Sequence, residues 1–263
     1  MKKCEIQKPI GLARLCRAVE TVCENANIYK CGIKPMHLIV PLDSGSGRTA
    51  FIGYLTDMYK QNGVLDFSGS LDDCIEVTAD GSSAQSVVQT FSAFAEGADY
   101  KNEYCNIAGI AVGNLAKYTA APQFSDFIKE IKKLFESAYV VFFVSGTPTA
   151  AEEKVISKLI DAAGKNKIYR TATEEYTAED ICRITEKIIC EHGVLVEHEE
   201  EFYAALSSMT ANYGICKVKD AVSAAEELIR YADFSGFTPV VNKKSVAALT
   251  EFWAEKNERS EIK

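Results

Sequence analysis

Residues 42–49, Leu42-Asp43-Ser44-Gly45-Ser46-Gly47-Arg48-Thr49, leave the apolar run "HLIVPL" and enter a helical pattern. A loop of the form G-x-x-x-x-G-K-[ST] at such a junction turns backbone N–H groups and a helix N-terminus toward phosphates. Its Lys pairs with their charge, and its Ser or Thr reaches a magnesium ion. Gly45, Gly47 and Thr49 keep that pattern here. Leu42 replaces the opening glycine, so the bend after the strand loses its free choice of φ. Arg48 replaces the lysine, and a planar guanidinium meets phosphate with a different geometry from a compact ammonium. Asp43 adds a negative charge beside the place phosphates would take. The nucleotide-binding candidates are therefore Ser44, Gly45, Ser46, Gly47, Arg48 and Thr49, and the alternative is a tight strand-to-helix turn that holds no ligand.

Other constellations carry less. The nine cysteines are scattered without a C-x-x-C pair, and the histidines are His37, His192 and His198 alone. The thiols read as small reduced core residues, and neither a metal site nor Cys/His nucleophilic chemistry is expected. The acidic run Glu197, Glu199, Glu200, Glu201 reads as the solvated start of a helix, where negative charge suits the dipole. Trp253, with Val246, Leu249 and Phe252, reads as a packing stripe.

The elements that must position the loop follow from periodicity. From residue 37, short apolar runs ("HLIVPL", "CIEVTA", "NIAGIAV", "YVVFFVSG", "NKIYRTA") alternate with helical patterns at about 48–62, 83–96, 123–137 and 150–163. Such alternation gives βα units and a mainly parallel sheet covered on both faces. Beyond "RTATEEYTAED" no strand is expected. Thr177 and Asp180 form a capping box opening a helix that Gly193 ends, and helices follow at about 198–209, 217–232 and 242–256.

With 263 residues, 47% of them hydrophobic and 25% charged, the chain can bury a substantial core. Its formal net charge of −8 and lack of a Lys/Arg block argue against broad electrostatic binding to nucleic acid or an anionic membrane surface and leave a local basic patch open, and neither is expected as a partner. The longest apolar runs are far short of the roughly 20 residues of a spanning helix, and the N-terminus lacks a leader pattern, so a cytoplasmic location is expected.

The segments "IGLARLCRAVETVCENANIYKCGIKPMHLIV", the loop, and "RTAFIGYLTDMYKQNGVL" together resemble the start of an AAA+ module of the red-type Rubisco activase class, also called CbxX/CfqX. The resemblance continues through "VVFFVSGT" at the fourth strand and sensor 1, "EEYTAEDICRI", and "GICKVKDAVSAAEELI" at the lid helix carrying sensor 2. It implies a P-loop NTPase (AAA+) α/β domain with a five-stranded parallel sheet over 1–173, including an N-terminal helical segment 1–36. A small all-α lid would follow over 174–263. Nucleotide would lie between the two, with a neighbouring subunit completing the site. The resemblance adds Ser145 at sensor 1 and Lys217 at sensor 2 to the candidates.

The same resemblance marks losses. Where the class ends its third strand with Asp-Glu, this chain has Ala111-Val112, followed by Gly113 and Asn114. Neither side chain can hold a metal or orient a water, so γ-phosphate transfer loses both supports. In place of an arginine finger stand Lys165 and Lys167, with Arg170 expected inside a strand. The expectation is a degenerate module, a pseudo-ATPase with no catalytic residue and no resident metal. It would bind ATP or ADP weakly or not at all and act through protein partners: itself, an AAA+ paralogue or a client. The alternative is an active remodelling ATPase that uses Asp43, Asp73 or Asp80 for metal work.

Overall fold

A computed structural model describes residues 6–28, 37–63, 74–77, 107–111, 124–137, 139–164, 167–172 and 175–261. The helix expected at 83–96 and residues Asp73, Asp80, Val112, Gly113, Asn114 and Lys165 lie outside them. The chain divides into two units: Met1–Ser44 with Arg48–Glu174, and Gly45–Gly47 with Glu175–Lys263.

In the first unit, helix α1 (Ala13–Ile28) precedes strand β1 (His37–Pro41) and helix α2 (Arg48–Gln61). Strands β2 (Cys74–Val77) and β3 (Ile107–Ala111) follow, then α3 (Phe124–Ser137), β4 (Tyr139–Val144), α4 (Ala150–Ala163) and β5 (Ile168–Arg170). The strands form one sheet in the order β2-β3-β4-β1-β5, and every pairing is parallel. Parallel strands need crossovers, on which α2, α3 and α4 lie, and burial on both faces explains why "HLIVP" and "YVVFFV" are apolar without alternation. All of their residues are buried.

Helix α1 packs on α2, and Tyr54 on α2 donates its hydroxyl to Glu20 Oε1 at 3.1 Å, a carboxylate that Lys8 also pairs at 2.6 Å. On α3, Ile131 and Phe135 are buried, in keeping with its apolar stripe. His37, which opens β1, is a core residue: it is 4% exposed, its Nδ1 accepts the Val140 N–H at 3.2 Å, and its ring lies 4.4 Å from that of Phe135.

In the second unit, helices α5 (Ala178–Glu191), α6 (Glu199–Tyr213), α7 (Val218–Arg230) and α8 (Lys243–Glu261) bury one apolar cluster. Its members include Ile181, Phe202, Leu206, Leu228, Leu249 and Trp253. The expectation of an all-α unit needs correction. Strands β6 (Leu195–Val196) and β7 (Val240–Val241) pair in parallel, Leu195 with Val240 and Val196 with Val241. Two residues per strand are too few to show an alternating pattern in sequence.

The capping box at α5 is present: Thr177 Oγ1 accepts the Asp180 N–H at 3.1 Å, and Asp180 Oδ2 accepts the Thr177 N–H at 2.9 Å. Thr177→Ala is expected to cost about 1 kcal/mol, seen as a lower urea midpoint with an unchanged slope.

Candidate functional site

The loop 42–49 begins where β1 ends. Leu42 is 2% exposed and its N–H donates to Val144 O at 3.0 Å, so it continues the sheet into the loop as a buried residue. That accounts for the missing opening glycine: the position has become core. Asp43 Oδ1 accepts the Gly146 N–H at 3.3 Å, which ties the loop to the end of β4. Ser44 is exposed.

Gly45 and Gly47 have φ of 75° and 81°, the left-handed region where a Cβ is strained. Ser46 lies between them and is 7% exposed. These three residues group with the second unit. Within it, Lys219 N–H donates to Gly45 O at 2.9 Å and the Tyr176 hydroxyl donates to Ser46 O at 3.0 Å. A Cβ on Gly45 would stand 2.8 Å from Lys219 Cδ, so both φ and space require glycine there. Both bonds use loop carbonyls and take up no loop N–H, the group a phosphate needs.

Arg48 opens α2. Its Nε–H donates to Leu42 O at 2.8 Å, and its guanidinium carbon lies 5.0 Å from the centroid of the Phe143 ring. The residue is half-buried. Its charge is thus fixed against the C-terminal end of β4 by a hydrogen bond and a cation–π contact. Thr49 follows it in the first turn and is exposed.

Ser145 follows β4. Its hydroxyl lies 2.8 Å from Glu152 Oε2 and 3.1 Å from Thr147 O. Glu152 is 5% exposed and also accepts the Thr149 N–H at 2.7 Å, closing the capping box of α4. Burial alone would raise the Glu152 carboxyl. The Thr149 N–H, the Ser145 and Thr149 hydroxyls and the Ser145 N–H outweigh it and hold the group below the ordinary carboxylate value. Ser145 is therefore engaged in the turn that starts α4.

Lys217 is half-buried and precedes α7, with its N–H donating to Asp220 Oδ2 at 3.1 Å. Lys167 is exposed, and its carbonyl accepts the His37 N–H at 2.8 Å. Arg170 lies in β5 and makes a two-point ion pair with Glu153, at 2.7 and 3.2 Å.

Ala111 is the last residue of β3, and the register sets it beside Phe143, which in turn neighbours Val40. One row of the sheet thus joins the β3 end, the residue under Arg48, and β1.

The structure brings together residues that the sequence reading did not connect: Phe143 with Arg48, Glu152 with Ser145, Lys219 with Gly45, and Tyr176 with Ser46. Of these, only Glu152 has a local signal, the spacing Thr149-x-x-Glu152 of a capping box.

No model of a protein family matches the sequence, and no curated protein matches it. Solved structures do match in fold. The Aeropyrum pernix Orc1 protein in complex with DNA is similar over 94% of this chain, with a TM-score of 0.59 and 15% identity. This chain spans 66% of that one, slightly under two thirds of its length. The Thermotoga maritima RuvB Holliday junction branch migration motor is similar over 92% of this chain and 70% of its own, with a TM-score of 0.58 and 12% identity.

The first similarity corrects the partner expectation, which set protein partners against nucleic acid. A protein similar over nearly the whole of this chain is in complex with DNA, so net charge does not exclude nucleic acid for this fold. A whole-chain sum of −8 says nothing of local basic surface, and phosphate contacts are made locally. No helix among the described residues is long and apolar enough to cross a membrane. At 12–15% identity these likenesses concern the fold, and the fold of this chain is that of the matching structures.

Proposed function

We propose that the protein is a degenerate AAA+ module of the red-type Rubisco activase kind, a pseudo-ATPase that binds ATP or ADP weakly and does not turn it over. The observation that carries this reading is Ala111 at the end of β3, on the sheet row that runs through Phe143 under Arg48. A carboxylate is needed there to hold metal and a second to orient water, and alanine offers neither. Ser44, Gly45, Ser46, Gly47, Arg48 and Thr49 cradle the phosphates in this proposal, and Ser145 and Lys217 remain candidates on the resemblance alone. The α/β domain spans 1–173, and the helical unit 174–263 is its lid.

The module acts by assembling with other protein chains. Phe234 and Phe237 support this: they are 61% and 107% exposed, and large apolar groups held in water are a mark of association surfaces. Cys16, Cys23, Cys182, Cys190 and Cys216 are thiols outside any disulfide, in keeping with the cytoplasm as the compartment.

A thermal-shift titration with ATP and with ADP tests the binding half. A ligand selective for the folded state raises stability by RT ln(1 + [L]/Kd), about 2.7 kcal/mol at a hundredfold excess over Kd. A rise in Tm with either nucleotide is expected. Its absence with both would reduce the module to a scaffold. Sedimentation as a strict monomer at all concentrations would count against assembly.

A further inference from the structure

A divalent ion that accompanies a nucleotide asks for hard oxygen donors, and Mg²⁺ takes them in near-octahedral array. In the proposed family two protein groups serve: the loop Ser/Thr and the aspartate ending the third strand. This chain has Thr49 and, at the strand end, Ala111. Asp43 is the carboxylate of the loop itself, and its Oδ1 already accepts the Gly146 N–H. Among the described residues no three His, Cys, Asp or Glu side chains gather as a metal site. Among the described residues the donor set does not fit Mg²⁺.

A different cation belongs to the same row. Ala111 neighbours Phe143 in the sheet, and the Arg48 guanidinium lies over the Phe143 ring with Nε–H on Leu42 O. A guanidinium is weakly hydrated, stays charged at any working pH, and carries five N–H donors in a rigid fork suited to phosphate oxygens. Its position is set by the protein alone, at the end of the strands where the phosphate loop begins.

We infer that the loop takes its nucleoside polyphosphate free of divalent metal, with Arg48 as the built-in counter-charge in place of Mg²⁺. The inference rests on the nucleotide-binding reading above. It names the form of ligand: uncomplexed ATP or ADP rather than the magnesium complex. One fixed positive charge in place of two is in keeping with the weak binding proposed above.

Thermal-shift and calorimetric titrations of the full chain with ATP, in EDTA and in excess MgCl₂, decide the matter. Binding in EDTA at least as tight as in MgCl₂ is expected, since chelation by Mg²⁺ withdraws the preferred ligand. Binding that appears only with MgCl₂ overturns the inference and leaves the nucleotide reading standing. No shift in either buffer overturns both.

Arg48→Lys keeps a charge while losing the fork and the Nε–Leu42 bond. It is expected to weaken binding in EDTA about tenfold, or about 1.4 kcal/mol. Unchanged affinity of that variant in EDTA would remove Arg48 from the role. Asp43→Asn is expected to tighten binding in EDTA, because a negative charge near the phosphates is gone. Loss of magnesium-supported binding in that variant would instead mark Asp43 as a metal ligand and overturn the inference.

Discussion

Phe142→Ala is expected to remove about 3–5 kcal/mol of stability, the largest effect of any substitution considered for this chain. Phe142 is 0% exposed at the centre of β4. Its register neighbours are Ile39 on β1 and Ile110 on β3, and its ring meets that of Phe135 edge-on at 5.9 Å. Truncation removes the transfer free energy of the ring and leaves a hole that close-packed strands on both sides cannot collapse to fill. Since a domain is stable by only about 5–15 kcal/mol, the loss takes a large share of the total. Urea unfolding followed by circular dichroism should show a much lower midpoint. A shift under about 1 kcal/mol would mean that the sheet centre is not packed as described.

Glu152→Gln is expected to cost about 1.5–3 kcal/mol at neutral pH, the range for hydrogen bonds to a charged group. The carboxylate accepts the Thr149 N–H and the Ser145 hydroxyl at the one oxygen Oε2 while 5% exposed, and an amide oxygen in its place accepts them without the charge that strengthens such bonds. Its pH dependence has a definite sign. The folded-state value lies below the ordinary one, so the charged form contributes stability at pH above the unfolded carboxyl value. That contribution is lost as pH falls through the lowered folded value. The gap between wild type and Glu152→Gln should therefore be widest near neutrality and close in acid. A gap that stays constant across that range would show that the charge is not what stabilises the α4 turn.

The sheet was legible because its strands are buried on both faces, which leaves nearly continuous apolar runs such as "YVVFFV". Helix starts were legible where side chains cap locally, at Thr177 with Asp180. The loop glycines were legible too, because positive φ at Gly45 and Gly47 demands that residue type. What escaped depends on residues far apart in sequence. Strands β6 and β7 exist only through their pairing with each other. Lys219 and Tyr176 bond Gly45 and Ser46, which lie far from them in sequence, and no local pattern announces that.

Arg48 was read as a phosphate partner, and its hold on Leu42 O and Phe143 needed coordinates to be seen. Ser145 was read as a sensor hydroxyl. It lies within hydrogen-bond reach of Glu152, a partner that the capping spacing foretold without linking it to Ser145. The partner expectation failed for a related reason, because composition sums over the surface while recognition is local.

The absence of turnover is the central claim, and inorganic phosphate release from ATP by the purified full chain tests it most directly. With Ala111 at the end of β3, release no faster than the protein-free blank is predicted, with or without MgCl₂, at nucleotide concentrations that raise Tm. Sustained release over many turnovers, abolished by Arg48→Ala, would contradict the account and establish an active ATPase with unconventional metal ligands.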